Sequence, residues 1–165
     1  MSSQNTDMLV KLYNLPPLEP AIAAQAEQAI TIRRAIAPEK HLISAWVAEH
    51  FSMHWASECQ VALSHVPVGC WIATHDSRLV GFACYDSTTR GFFGPTGVDD
   101  SMRGKGVGTA LLLACLHAMR ADGYGYAIIG AAGPVAYYER TVGAIPIPDS
   151  SPGVYRGLLR APRPE

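Results

Sequence analysis

The sequence predicts a mixed α/β domain with a largely antiparallel front half. Two observations predict it. Short β-branched or apolar runs alternate with segments whose apolar residues recur at helical spacing, in the order strand, helix, helix, three strands, helix, strand, helix, two strands. Midway along the chain, a strand runs through a glycine-rich turn straight into a helix rich in Ala and Leu, over residues 98–120.

Residues 1–29 contain Leu15-Pro16-Pro17-Leu18-Glu19-Pro20, which is neither regular helix nor central strand. They read as a partly irregular extension with disordered first residues, packed on a domain spanning 30–165. The Ala-rich piece 21–29 suits a short helix, and a linker to another domain is the alternative. Ile30 to Ile36 has strand composition. Pro38 opens a helix at its first turn, where a missing N–H costs nothing, and Leu42, Ile43, Trp46, Val47 and Phe51 form its core stripe. A second helical piece covers about 54–64.

Val68 to Ala73 and Leu79 to Tyr85 read as strands joined by the turn His75-Asp76-Ser77-Arg78. Phe92 to Val98 is the strand that feeds the glycine turn. Its Pro95 removes a ladder donor, so a bulge or a splay in the pairing is expected there. Helix 109–121 stops at Asp122-Gly123, and Tyr126 to Ala131 is an apolar, central strand. Pro134 starts a helix that Gly143 stops. Ala144 to Leu159 reads as two strands around the turn 149–153.

Composition narrows the function. A net charge of −1, with no basic run, argues against nucleic-acid and membrane-surface binding. No apolar stretch approaches the roughly 18 residues of a membrane helix, and the N-terminus lacks a signal pattern, so a cytoplasmic protein is expected. Cys59, Cys70, Cys84 and Cys115 form no Cys-x-x-Cys pair and read as buried thiols. The six histidines show no ligand spacing, and no metal is predicted.

The turn itself is Arg103-Gly104-Lys105-Gly106-Val107-Gly108-Thr109. Alternating glycines bare consecutive N–H groups, the following helix adds unpaired donors, and Arg103 and Lys105 add charge. Such a unit suits a phosphate. A P-loop is a poor fit, because Lys105 falls between the glycines with no Ser or Thr after it. A dinucleotide fingerprint is also poor: the spacing is Gly-x-Gly-x-Gly, and the next strand carries no acidic residue.

Val98-x4-Arg103-Gly104-x-Gly106-x-Gly108, followed by an amphipathic helix, resembles the acetyl-CoA pyrophosphate loop of the GNAT acetyltransferase superfamily. Ala136-Tyr137-Tyr138-Glu139-Arg140 ahead of Gly143 is similar to that family's Phe-Tyr-Glu-Lys…Gly helix. The resemblance spans about residues 30–159. It implies a central, mostly antiparallel sheet splayed at the cofactor site, with about four flanking helices. It implies acetyl-CoA as cofactor, Thr96, Gly97 and Val98 beside the pantetheine arm, Arg103 to Thr109 around the diphosphate, and Tyr138 as general acid. A small-molecule or peptide amine is the implied acceptor, and the oligomeric state is left open, with a homodimer among the options. Three positions depart from the pattern: Asp100 replaces a proline, Ala131 an asparagine, and the tyrosine-to-glycine spacing is one longer, leaving Tyr137 as the less favoured alternative acid to Tyr138.

An ammonium acceptor must lose a proton before it attacks. Glu58, His54, Asp86 and Asp99 are candidate bases, with water equally open. Trp46 and Trp55 read as core. In Tyr155-Arg156 the guanidinium could pair with a substrate carboxylate, though surface ion pairing is commoner. A non-catalytic acyl-CoA-binding sensor of the same fold is the competing reading.

Overall fold

The computed structural model describes residues 5–164; the disorder expected of the opening residues concerns 1–4, outside them. Along the chain come β1 (Thr6–Lys11), α1 (Glu19–Ala26), β2 (Ile30–Arg34), α2 (Lys40–His50), α3 (Met53–Ala62), β3 (Cys70–His75), β4 (Arg78–Tyr85), β5 (Phe92–Val98), α4 (Val107–Ala121), β6 (Tyr126–Ala132), α5 (Val135–Val142) and β7 (Ile145–Pro146). The strands form one sheet in the order β2-β3-β4-β5-β6-β1-β7. Every neighbouring pair is antiparallel except β5 and β6, which run parallel.

The sheet separates two apolar layers. Alternate residues of β4 point to opposite faces: Ala83 and Tyr85 join the layer built on α4, while Phe82 and Cys84 join the one built on α2 and α3. That is why β4 reads as continuously apolar. α4 is the central helix, with Leu111, Leu112, Leu113 and Leu116 all buried. Each such leucine contributes roughly 1.5–3 kcal/mol of burial, so the start of α4 is held firmly against the sheet. All four cysteines are buried and free.

Two expectations are corrected. Residues 6–11 are part of the sheet, since β1 lies between β6 and β7. Met8, Val10 and Leu12 alternate along it and are fully buried, a period-two pattern hidden beside the proline run. The second of the two C-terminal strands does not form: β7 is two residues long, and Gly153–Tyr155 is a 3-10 turn. Pro146, Pro148 and Pro152 withhold ladder donors, and the Ser150 hydroxyl folds back onto the Ile147 carbonyl at 2.7 Å.

Candidate active site

The site begins with a seam in the sheet. β5 stays paired to β4 as far as Gly81↔Val98, and β6 stays paired to β1 as far as Thr6↔Ala132. Between β5 and β6 only Phe92↔Ile128 and Phe93↔Ile129 pair. Pro95, which has no N–H to give, follows directly, and the β4–β5 register slips between Ala83 and Tyr85. The two strands therefore diverge, as the sequence predicts, and leave unpaired backbone groups along both edges. Gly97 is required by close approach: the Phe51 ring packs where its Cβ would stand.

A cleft of about 1370 Å³ runs along this seam. Thr96, Gly97, Val98, Arg103, Gly104, Gly106, Val107, Gly108, Thr109 and Tyr138 line it. Lys105 does not: its ammonium turns back to within 3.7 Å of Met102 Sδ. Arg103 is tied at 3.2 Å to Asp100 on the loop's exposed side, a pairing worth little by itself.

The loop is shaped to present donors. Gly104 and Gly106 lie at φ +77° and +83°, where a residue with a Cβ is strained. Among the described residues, the N–H groups of Gly104, Lys105 and Gly106 donate to no protein acceptor. The first N–H groups of α4 add to them, and the helix dipole places partial positive charge there. One contact escapes sequence reasoning entirely. The Lys105 carbonyl accepts from Gln25 Nε2 at 2.9 Å and from Gln28 Nε2 at 3.0 Å. A carbonyl and the next N–H point in opposite directions across a planar trans peptide. Anchoring the Lys105 oxygen toward α1 therefore aims the Gly106 N–H away from it. Gln25 is almost fully buried.

α5 contributes two tyrosines with different fates. The Tyr137 hydroxyl bonds Thr109 Oγ1 at 2.7 Å and ties α5 to α4. The Tyr138 hydroxyl has no protein hydrogen-bond partner among the described residues, although its side chain is buried. Burial first, and the neighbouring Tyr137 second, push its pKa up to about 12.

The other end of the cleft is formed by α3, Thr88 and the C-terminal segment. Glu58 is half-buried and lines it. The Thr88 hydroxyl donates to Glu58 Oε1 at 2.7 Å. Burial raises the Glu58 pKa, opposed by the Thr88 hydrogen bond and by His54. His54 also lines the cleft and meets the Leu159 carbonyl at 3.3 Å. Trp55 and Tyr155 line it too.

The other candidates lie elsewhere. Asp86 holds the Gly91 N–H at 2.7 Å and the Tyr124 hydroxyl at 3.0 Å. Asp99 caps Ser101 and pairs with His50 at 3.4 Å. Trp46 stacks on His50. Among the described residues no group of three or more His, Cys, Asp or Glu could hold a metal, and no helix is long and apolar enough to cross a membrane.

Comparison with solved structures returns acetyltransferase folds. A GCN5-related glucosamine N-acetyltransferase region in a fungal multi-domain GH3 β-N-acetylglucosaminidase aligns at TM-score 0.72 and 15% identity, covering 89% of this chain and 20% of that one. A GCN5-related N-acetyltransferase from Sphaerobacter thermophilus aligns at TM-score 0.64 and 21% identity, covering 86% and 48%. An aminoglycoside acetyltransferase from an uncultured soil metagenomic sample aligns at TM-score 0.51 and 15% identity, covering 70% and 88%. This chain thus spans about a fifth and about half of the first two, and at these identities the likeness is one of fold. No curated protein matches the sequence. The family model described as Acetyltransferase (GNAT) family matches residues 31–144, a stretch that holds the seam, the glycine loop and both tyrosines, and the chain belongs to that family.

Proposed function

We propose that this protein is an acetyl-CoA-dependent N-acetyltransferase that moves an acetyl group to a primary amine of a small molecule or peptide by direct attack in a ternary complex. The observation that carries this reading is the β5–β6 seam, which opens onto bare loop N–H groups at one end and the Glu58 carboxylate at the other.

The residues present fit coenzyme A. Its long amide-bearing arm matches the unpaired strand edges at Thr96, Gly97 and Val98, and its diphosphate matches the donors from Arg103 to Thr109. Lys105 contributes through its N–H only. When bound there, acetyl-CoA supplies an acetyl thioester. Glu58 takes a proton from the acceptor's ammonium at its carboxylate oxygen, and burial suits it to this by raising its pKa toward neutrality. Tyr138 keeps its hydroxyl proton throughout the neutral range and offers an O–H donor into the cleft.

A phenol at about 12 is a weaker acid than a thiol near 8.5. A thiol whose sulfur lies beside the buried Tyr138 would be raised by the same desolvation, which narrows the gap. That mismatch is also what favours the second reading, a non-catalytic acyl-CoA sensor.

Thiol release from acetyl-CoA over an amine panel separates the two. Tyr138→Phe, which deletes only the hydroxyl, is expected to lower kcat about 100-fold while the dissociation constant for acetyl-CoA stays constant. Tight acetyl-CoA binding with no turnover on any amine supports the sensor.

The glutamine brace gives a further expectation. Gln25→Leu leaves Gln28 alone on the Lys105 carbonyl, at a stability cost of roughly 0.5–1.5 kcal/mol. Because the Gly106 N–H is then less firmly aimed, acetyl-CoA affinity measured by calorimetry should fall about tenfold, one charge-assisted hydrogen bond's worth. Unchanged affinity would show that the loop holds its shape without α1.

A further inference from the structure

Resting on that reading, we infer that the acceptor is a small primary monoamine with a flat apolar body, an arylalkylamine in chemical class, seated with its ammonium at Glu58 and its body against Met53, Trp55, Tyr155 and Leu158.

Charge decides the number of amines. Among the described residues lining the cleft, Glu58 is the sole carboxylate. The formal positive charges are Arg103 at the glycine loop and Arg160 on the C-terminal segment. One carboxylate balances one ammonium. A second ammonium on the same molecule would find no anion in the cleft and would meet Arg160, and a desolvated charge without a partner is costly. Polyamines and aminoglycosides are therefore poor occupants.

Surface chemistry decides the body. Trp55 is half-buried and is held flat: its ring stacks on Phe51 at 5.1 Å and meets the edge of Phe82 at 6.3 Å. It offers the cleft a rigid aromatic platform, which binds a flat ring at little entropic cost. Met53 at 70% exposure and Leu158 at 43% flank the opening. The hydrogen bond from His54 to the Leu159 carbonyl brings Leu159, 87% exposed, to the same rim. Single exposed apolar side chains are ordinary, but a group of them around the mouth of a cleft marks where an apolar ligand is covered. Beyond the glycine loop, the polar side chains lining the cleft include Asn5, His54, Ser57, Thr88 and Tyr155, of which the Thr88 hydroxyl is committed to Glu58 and the His54 ring to the Leu159 carbonyl.

The test compares kcat/KM for thiol release with 2-phenylethylamine, tryptamine, spermidine, kanamycin, glucosamine, phenylalanine and a peptide with an aromatic N-terminal residue. The two arylalkylamines should exceed every other acceptor by at least about tenfold, the value of one well-buried apolar group. Met53→Ser and Leu158→Ser alter exposed side chains and should still fold. Each should raise KM for tryptamine by about three- to tenfold while KM for acetyl-CoA stays constant. A higher kcat/KM on the polyamine, the sugars, the amino acid or the peptide overturns the inference, as does an unchanged tryptamine KM in both variants. Calorimetry with acetyl-CoA distinguishes the levels of failure. Binding with transfer to another amine sinks only the acceptor class, whereas absence of binding sinks the acetyltransferase reading and this inference together.

Discussion

Gly106→Val is expected to weaken acetyl-CoA binding by two orders of magnitude or more. Gly106 sits at φ +83°, and a β-branched residue there costs about 1–2 kcal/mol or more. A Cβ at this position would also stand 3.0 Å from Gln25 Nε2, against a side chain that is itself buried and engaged. The loop relieves both by leaving its conformation, which turns the Gly104–Gly106 N–H groups off their common target. Losing one or two charge-assisted hydrogen bonds, at roughly 1.5–3 kcal/mol each, accounts for the size of the effect. Calorimetric titration with acetyl-CoA checks it. Lys105→Ala is the informative companion: its side chain does not line the cleft, so a loss of no more than a few-fold is expected there, from long-range charge alone.

Glu58→Gln should lower kcat/KM about 100- to 10,000-fold, the usual range for a positioned proton acceptor, with acetyl-CoA affinity unchanged. The pH profile carries the sharper signature. Only the carboxylate form accepts a proton, so activity is lost as pH falls through the Glu58 pKa. Burial raises that pKa, so the acid limb of the wild-type profile lies above the range of an ordinary glutamate. Glu58→Gln removes this limb and leaves the one due to the amine itself. Thr88→Val removes a hydroxyl that favours the charged form, so the limb should move to still higher pH. A limb that stays fixed in Thr88→Val would assign it to another group.

The glycine-loop end of the candidate site is legible in the sequence because its chemistry is local. Arg103 to Thr109 and Pro95 lie within fifteen residues of one another, and Gly104, Gly106, Gly108 and Pro95 set what the backbone can do by their own covalent structure. The Glu58 end is assembled from distant pieces. Glu58 meets Thr88 across 30 residues, and on its helix alone it looks like part of a solvated face. Gln25 meets the Lys105 carbonyl across 80, so nothing near either residue announces the contact. β1 is masked in the sequence by the proline run beside it, although Met8, Val10 and Leu12 alternate. At the C-terminus, apolar Val154, Leu158 and Leu159 suit a strand by composition, but Gly153 and Gly157 turn the backbone at positive φ, and the segment instead brings Leu158 to the cleft.

One measurement bears most directly on the proposed chemistry: simultaneous quantification of free coenzyme A thiol and acetylated amine, in the wild-type protein and in Glu58→Gln, at saturating acetyl-CoA. If the seam holds the thioester and Glu58 serves the amine, thiol and acetylamine appear in equal amounts, only when an amine is present, and both slow together in the variant. Thiol release that is independent of amine, or an equal rate in Glu58→Gln, would contradict that chemistry.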